Sequence, residues 1–79
     1  MDHATFLQRM EDALRAKPGS IRMTHQFHEL EGWDSIGALS VIAVIDERYG
    51  VTLDAGELLA CRTVGDLAAL VTKNLSRAA

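Results

Sequence analysis

The stretch Glu31-Gly32-Trp33-Asp34-Ser35-Ile36-Gly37-Ala38-Leu39-Ser40, with the apolar run that follows it to Ile45, decides how the chain is read. Gly32 is a turn residue, and Asp34 and Ser35 stand at the mouth of a helix predicted over roughly 35–49. That helix is uncharged from Ile36 to Ile45. It is too short to cross a bilayer, which needs about 20 apolar residues. A helix that is apolar nearly all round must be covered on more than one side. One part should face the core of a small domain, and another part something else.

Two stripes run along it. Val41, Val44, Ile45 and Tyr49 share one face at helical spacing and form the expected core stripe. Ile36, Leu39 and Ala43 lie on an adjoining face, with Ser40 and Gly37 beside them. Gly37 in the first turn costs roughly 1 kcal/mol of helix propensity relative to alanine, and leaves the backbone near Ser35 unshielded by a side chain. A fully buried central helix fits the periodicity equally well.

The 79 residues amount to one domain, 48% hydrophobic and 24% charged, the composition of a globular chain. Met1 and the short ends lead to the expectation of a discrete one-domain protein over 1–79, and because its N-terminus lacks a basic stretch followed by an apolar run no secretory signal is expected. The single Cys61 excludes an internal disulfide and fits a reducing compartment, so the cytoplasm is the expected location. A net charge of −3 argues against non-specific nucleic-acid binding, which wants a basic face. From Glu29 to Glu57 there are seven acids and one base, Arg48, while the rest of the chain is net basic. The acidic half surrounds Ser35, and a basic partner surface would be steered towards it.

Outward from this centre, Phe6, Leu7, Met10, Ala13 and Leu14 predict an amphipathic helix from about Ala4 to Ala16. Gln8, Arg9, Glu11, Asp12 and Arg15 are assigned to its polar face. Lys17-Pro18-Gly19-Ser20 is expected to stop it. Ser20 to Trp33 reads as a long loop pinned by Ile21, Met23, Phe27 and Leu30. His25 and His28 lie three apart, but no further ligand stands nearby, so they read as surface histidines and not as a metal site. After Gly50, Asp54 with Glu57 has the form of a capping pair for a short third helix from Gly56 to about Cys61. Thr63 with Asp66 opens a fourth, carried by Val64, Leu67, Ala68, Leu70 and Val71 to about Leu75; residues 76–79 should fray. The predicted fold is an all-α bundle of three main helices, one short third helix and a long first loop.

Nothing in this pattern promises intrinsic catalysis. Ser35 has an acid beside it but no histidine placed as a base, and the strand and second glycine of a nucleophile elbow are missing. Cys61 reads as a small core residue. A serine at a helix mouth without a base is better suited to be a substrate, activated by another enzyme.

At these residues the sequence resembles the acyl carrier protein family. The family signature, a glycine, one residue, then Asp-Ser-Leu or a near variant, stands here as Gly32-Trp33-Asp34-Ser35-Ile36. The likeness continues through Val41-Ile42-Ala43-Val44-Ile45-Asp46-Glu47-Arg48-Tyr49-Gly50-Val51 to Thr63-Val64-Gly65-Asp66-Leu67, more than half the chain. The resemblance implies a four-helix bundle whose serine, here Ser35, receives 4′-phosphopantetheine from coenzyme A. A separate phosphopantetheinyl transferase performs that step with Mg²⁺. Asp34 matches the acid that helps organise the metal and the transferase contact, as a hard oxygen ligand can. An acyl group would ride as a thioester on the arm, and in many members it folds back between the helices, here near Val41, Ile42, Ile45, Leu58 and Cys61. Ile36, Leu39 and Ala43 match positions touched by partner enzymes such as ligases, ketosynthases or acyltransferases. Asp46 and Glu47 extend that face, and Trp33 covers the base of the arm, anchors a partner or simply packs. A monomer is expected, with no membrane or nucleic-acid partner.

In one respect the chain departs from the carriers of bacterial fatty acid synthesis, which show several acids along the second helix. Here Ile36 to Ile45 has none, so the interface should depend less on salt and more on apolar contact. That favours a specialised pathway: a polyketide, a modified lipid, or an activated amino or hydroxy acid. The alternative is a non-enzymatic helical module docking through Ile36, Leu39 and Ala43. Replacing Ser35 would abolish a carrier and hardly affect a docking module.

Overall fold

The computed structural model describes residues 2–30 and 32–78, with side chains through residue 75. Its elements are α1 (His3–Leu14), a 3₁₀ turn (Phe27–Glu29), α2 (Ser35–Tyr49), the short α3 (Ala55–Ala60) and α4 (Val64–Ala78). The predicted all-α bundle is what forms. Among the described residues the one β-type pairing is an isolated antiparallel bridge between Gln26 and Thr63.

Local chemistry sets most of the boundaries. Asp2 caps α1, accepting from the N–H groups of Ala4 and Thr5 and from the Thr5 hydroxyl, so the helix begins earlier than its apolar pattern suggests. It also ends earlier, at Leu14. Arg15 takes the left-handed conformation at φ 54°, and the N–H groups of Arg15 and Ala16 turn back to the carbonyls of Asp12 and Glu11. This Schellman closure, and not Pro18, stops the helix. Asp54 and Glu57 cap α3 reciprocally at 2.7 and 3.2 Å. Thr63 and Asp66 do the same for α4, and Asp66 accepts from Arg62 N–H as well. Helix α4 runs to Ala78, beyond the apolar pattern that predicted its end at about Leu75. Ala79, the last residue of the expected frayed end, lies outside the described residues.

The core joins Phe6 and Met10 of α1, Val41 and Ile45 of α2, Leu58 of α3, and Val64, Leu67, Ala68 and Val71 of α4. Ile21 and Phe27 from the first loop are buried in it, with Met23 and Leu30 packed alongside, as the pinning reading expects. On α2 the stripe differs by one position. Ala38 and Ile42 pack on the core beside Val41, Ile45 and Tyr49, whereas Val44 is half-buried outside that packing.

Glu11 is the residue most at odds with its sequence reading. Assigned to the polar face of α1, it is 5% exposed, and its carboxyl accepts from the backbone N–H of Ile21 at 3.1 Å. It is the first fastening of the long loop. Three main-chain bonds make the second: Phe27 N–H to Arg62 O, Val64 N–H to His25 O, and Gly65 N–H to Met23 O, at 2.8–3.0 Å. Within the loop His25 Nδ1 accepts from Arg22 N–H at 2.9 Å, which gives that histidine a structural task. Among the described residues no group of three or more His, Cys, Asp or Glu side chains is placed to hold a metal.

Candidate functional site

Ser35 is the first residue of α2 and is exposed. Its position is set by its neighbour. Asp34 is the N-cap in extended backbone, and its Oδ1 accepts from Gly37 N–H at 2.7 Å. That bond satisfies one of the donors orphaned at a helix start. It also fixes the direction of the first turn, so Ser35 is held outward on a rigid element. No hydrogen bond engages the Ser35 hydroxyl among the described residues, and no imidazole is held against it.

Gly37 corrects an expectation. It does not open the surface near Ser35 but lies buried where the first loop and α1 close on α2. A Cβ there would stand 3.0 Å from Gly32 O and 3.0 Å from the Leu14 side chain. Only glycine admits that approach without a shift, and the approach ties the foot of α2 to the turn carrying Trp33. Gly32 holds its own turn at φ 80°, a conformation open to glycine. Glu31 lies outside the described residues.

The other candidate residues line up along α2. Ile36 is 73% and Leu39 63% exposed, and Ala43, Asp46 and Glu47 are exposed on the same side. Asp46 has a second task, accepting from the Thr52 hydroxyl at 3.2 Å and so holding the exit from the helix. Trp33 is half-buried, its ring stacked on Phe27 at 4.6 Å and 29°. Leu59, 69% exposed on α3, is a third large apolar side chain left open to solvent. The sequence does not single it out, because a short capped helix of six residues gives too few positions for a periodicity to show which side faces out.

Cys61 packs against the core, its thiol directed to Glu57 O at 3.5 Å. Burial above all, then Asp66 and Glu57, push that thiol up from its ordinary range. It is suited to packing and not to nucleophilic work. Val41, Ile42, Ile45, Leu58 and Cys61, the positions implied for a folded-back chain, all belong to this packing.

A family model described as a phosphopantetheine attachment site matches residues 4–71. The chain belongs to that family, the acyl carrier proteins. In keeping with this it is similar to the acyl carrier protein MbtL of Mycolicibacterium paratuberculosis, with 50% identity over 40 residues. That match takes in 51% of this chain and 45% of MbtL, so the chain aligns with less than half of that relative. The fold is similar to the solution structure of a holo acyl carrier protein from Geobacter metallireducens, with a TM-score of 0.79 and 25% identity over 92% of this chain and 84% of that one.

The family's prosthetic group is phosphopantetheine, and a carrier of this kind acts through partner enzymes and is not itself an enzyme. The foot of α2 fits such a group. A hydroxyl is exposed there, and the positive dipole end of a fifteen-residue helix favours the anionic phosphodiester that attachment would create. Among the described residues no helix is long and apolar enough to cross a membrane.

Proposed function

We propose that Ser35 is the residue that carries the phosphopantetheine arm, and that the chain, as a single carrier domain over 1–79, presents an acyl or aminoacyl group to partner enzymes. The observation that carries this reading is an exposed hydroxyl, free of hydrogen bonds among the described residues, on the first residue of a helix capped by Asp34. In the attachment step Ser35 Oγ loses its proton and bonds to phosphorus, while the pyrophosphate P–O bond of coenzyme A breaks and adenosine 3′,5′-bisphosphate leaves. Ser35 has no base of its own, so the transferase must take that proton. Asp34 gives Oδ1 to the helix cap and keeps Oδ2 for the Mg²⁺ or the transferase. The arm, once bound, supplies the terminal thiol on which the acyl group rides as a thioester.

The partner face is Trp33, Ile36, Leu39 and Ala43, closed at its far end by Asp46 and Glu47. Two large apolar side chains left mostly exposed on one side of a helix suit a docking surface. Its lack of charge favours ligases, ketosynthases or acyltransferases of a specialised lipid, polyketide or related pathway in the cytoplasm, met by the carrier as a monomer. Binding to such a partner should weaken little as salt rises.

Intact mass after incubation with coenzyme A, Mg²⁺ and a broad-specificity phosphopantetheinyl transferase tests the assignment. Wild type should gain one phosphopantetheine, and Ser35→Ala none, with unchanged far-UV circular dichroism. A gain that persists in the variant would sink the assignment. No gain in wild type with several transferases would favour a docking module acting through Ile36, Leu39 and Ala43.

A further inference from the structure

The C-terminal end of α1 and the long loop enclose a cleft of about 510 Å³. Its apolar wall is Leu14, Ala16, Ile21 and Leu30. Ile21 is buried and fastened to Glu11, and the other three pack against the core, so the wall is built in advance of any occupant. Ligand sites run from about 300 to 1,000 Å³ and combine apolar walls with a few placed polar groups. The cleft falls within that range.

Its polar groups differ in sign from most of the chain. Arg15 and Lys17 bring two positive charges, and Glu29 is the one acid among the described residues that line it. Glu29 is turned into its own loop, where Oε1 accepts from Gln26 N–H at 2.7 Å. His25 gives Nδ1 to Arg22 N–H at 2.9 Å, so its neutral ring carries the proton on Nε2 and has a donor to offer. Ser20 donates both its hydroxyl and its N–H to Lys17 O, closing the turn from which the Lys17 side chain leaves. With His25 neutral, a chain of net charge −3 has one positive charge in excess here.

The decisive residue is Arg15. Among the described residues it is the only non-glycine at positive φ, 54°, and it stands at a helix end where glycine is the usual residue. Strained backbone of this kind gathers at ligand clamps. Glycine would close α1 with less strain; what arginine adds is a guanidinium at the cleft, a planar fork that matches a carboxylate. One excess positive charge suits a monoanion, and the apolar wall suits an organic body over a hydrated inorganic ion. A cavity of about 150 Å³ holds benzene, so this open cleft has room for about ten non-hydrogen atoms and their water.

We infer that the cleft binds a small organic carboxylate, its charge held by Arg15, Lys17 and His25 and its apolar body laid against Leu14, Ile21 and Leu30. None of the lining residues belongs to the α2 face, and the site needs no attachment at Ser35.

The probe is phenylacetate, titrated at low ionic strength into the 79-residue chain without an arm and followed by ¹H–¹⁵N spectra. Amides of Ala16, Ile21 and His25 and the His25 ring nitrogens should shift together and saturate, with a dissociation constant of about a millimolar or tighter. Acetate, which lacks the body, and phenylacetamide, which lacks the charge, should each bind at least about tenfold more weakly. Arg15→Gly relieves the backbone and keeps the fold, and should lose about tenfold or more in phenylacetate affinity. Lys17→Gln, at an exposed and flexible side chain, should lose less. Acetate or inorganic phosphate binding as well as phenylacetate would leave only a basic patch and overturn the site. Equal binding of phenylacetamide, wild-type affinity in Arg15→Gly, or no saturable shift in the cleft would each overturn it as well.

Discussion

Removing the Glu11 side chain should do far more damage than its place on a supposedly polar face suggests. Its carboxyl is the partner of the Ile21 N–H, and both residues are at most 5% exposed. In Glu11→Ala that N–H is left buried and unpaired, which costs about 1–3 kcal/mol. A chain of this size has roughly 3–5 kcal/mol in hand. For a domain of 60–100 residues each kcal/mol moves the melting temperature by about 4–8 °C. The expected fall is therefore on the order of 5–20 °C, read as a thermal melt by far-UV circular dichroism. Glu11→Gln keeps a carbonyl acceptor at the same reach and should lie nearer to wild type than to the alanine variant. Amide exchange at Ile21 should accelerate in the alanine variant ahead of exchange in α2, because the loop is released first. A Glu11→Ala melt within about 2–4 °C of wild type, the range of a surface substitution, would refute the reasoning. So would a glutamine variant no better than alanine.

Arg15 sits in the left-handed region without being glycine, so Arg15→Gly should stabilise the domain by roughly 0.5–1 kcal/mol; a lower melting temperature would contradict this. Helix α3 is two turns or fewer and leans on its reciprocal cap, so amides from Leu58 to Cys61 should exchange faster than those of α2. Asp54→Ala should cost about 1 kcal/mol in a denaturant titration and widen that gap. Backbone N–H groups of Thr63 and Arg62 hold the Asp66 carboxyl below its ordinary value of 3.8. A carboxyl depressed in the folded state adds stability above its unfolded value and loses it as pH falls through the folded one. Asp66→Asn should therefore melt closer to wild type below pH 3.8 than at neutral pH, and a pH-independent difference would count against that cap.

The parts legible in the sequence are those governed by neighbours in the chain. Asp54 with Glu57, and Thr63 with Asp66, announce caps because each pair closes over three residues, and both form as read. The exposure of Ile36, Leu39 and Ala43 follows from the angular width of an apolar helix that cannot bury every side. What escaped reading depends on distant chain. Glu11 looks solvated because its partner is a backbone N–H ten residues on, and main-chain donors carry no sequence signature. The Phe27–Glu29 turn and the bridge of the preceding Gln26 to Thr63 are likewise set by main-chain pairing with distant chain. Gly37 reads as an opening in the sequence because the close approach that requires it comes from Leu14 and Gly32, brought there by the tertiary fold. At the site, Ser35 and the acid before it are readable from a short motif, whereas the exposure of Leu59 and the stacking of Trp33 on Phe27 depend on the tertiary fold.

The three main-chain bonds between residues 23–27 and 62–65 join stretches almost half the chain apart. Contacts at such separation form late, because the closure entropy of the intervening chain must be met first. During synthesis, helices α1 and α2 can emerge and take shape while the loop that bears Trp33 has only its fastenings to those two helices and lacks the three that come from residues 62–65. Its partners are the carbonyl of Arg62 and the N–H groups of Val64 and Gly65, which leave the ribosome well after Ser35. The serine is thus an early, local property of the polypeptide, and the aromatic platform beside it a late, global one. A short peptide cut from around residue 35 could carry the first to another protein, but the second does not travel without the opening turn of α4.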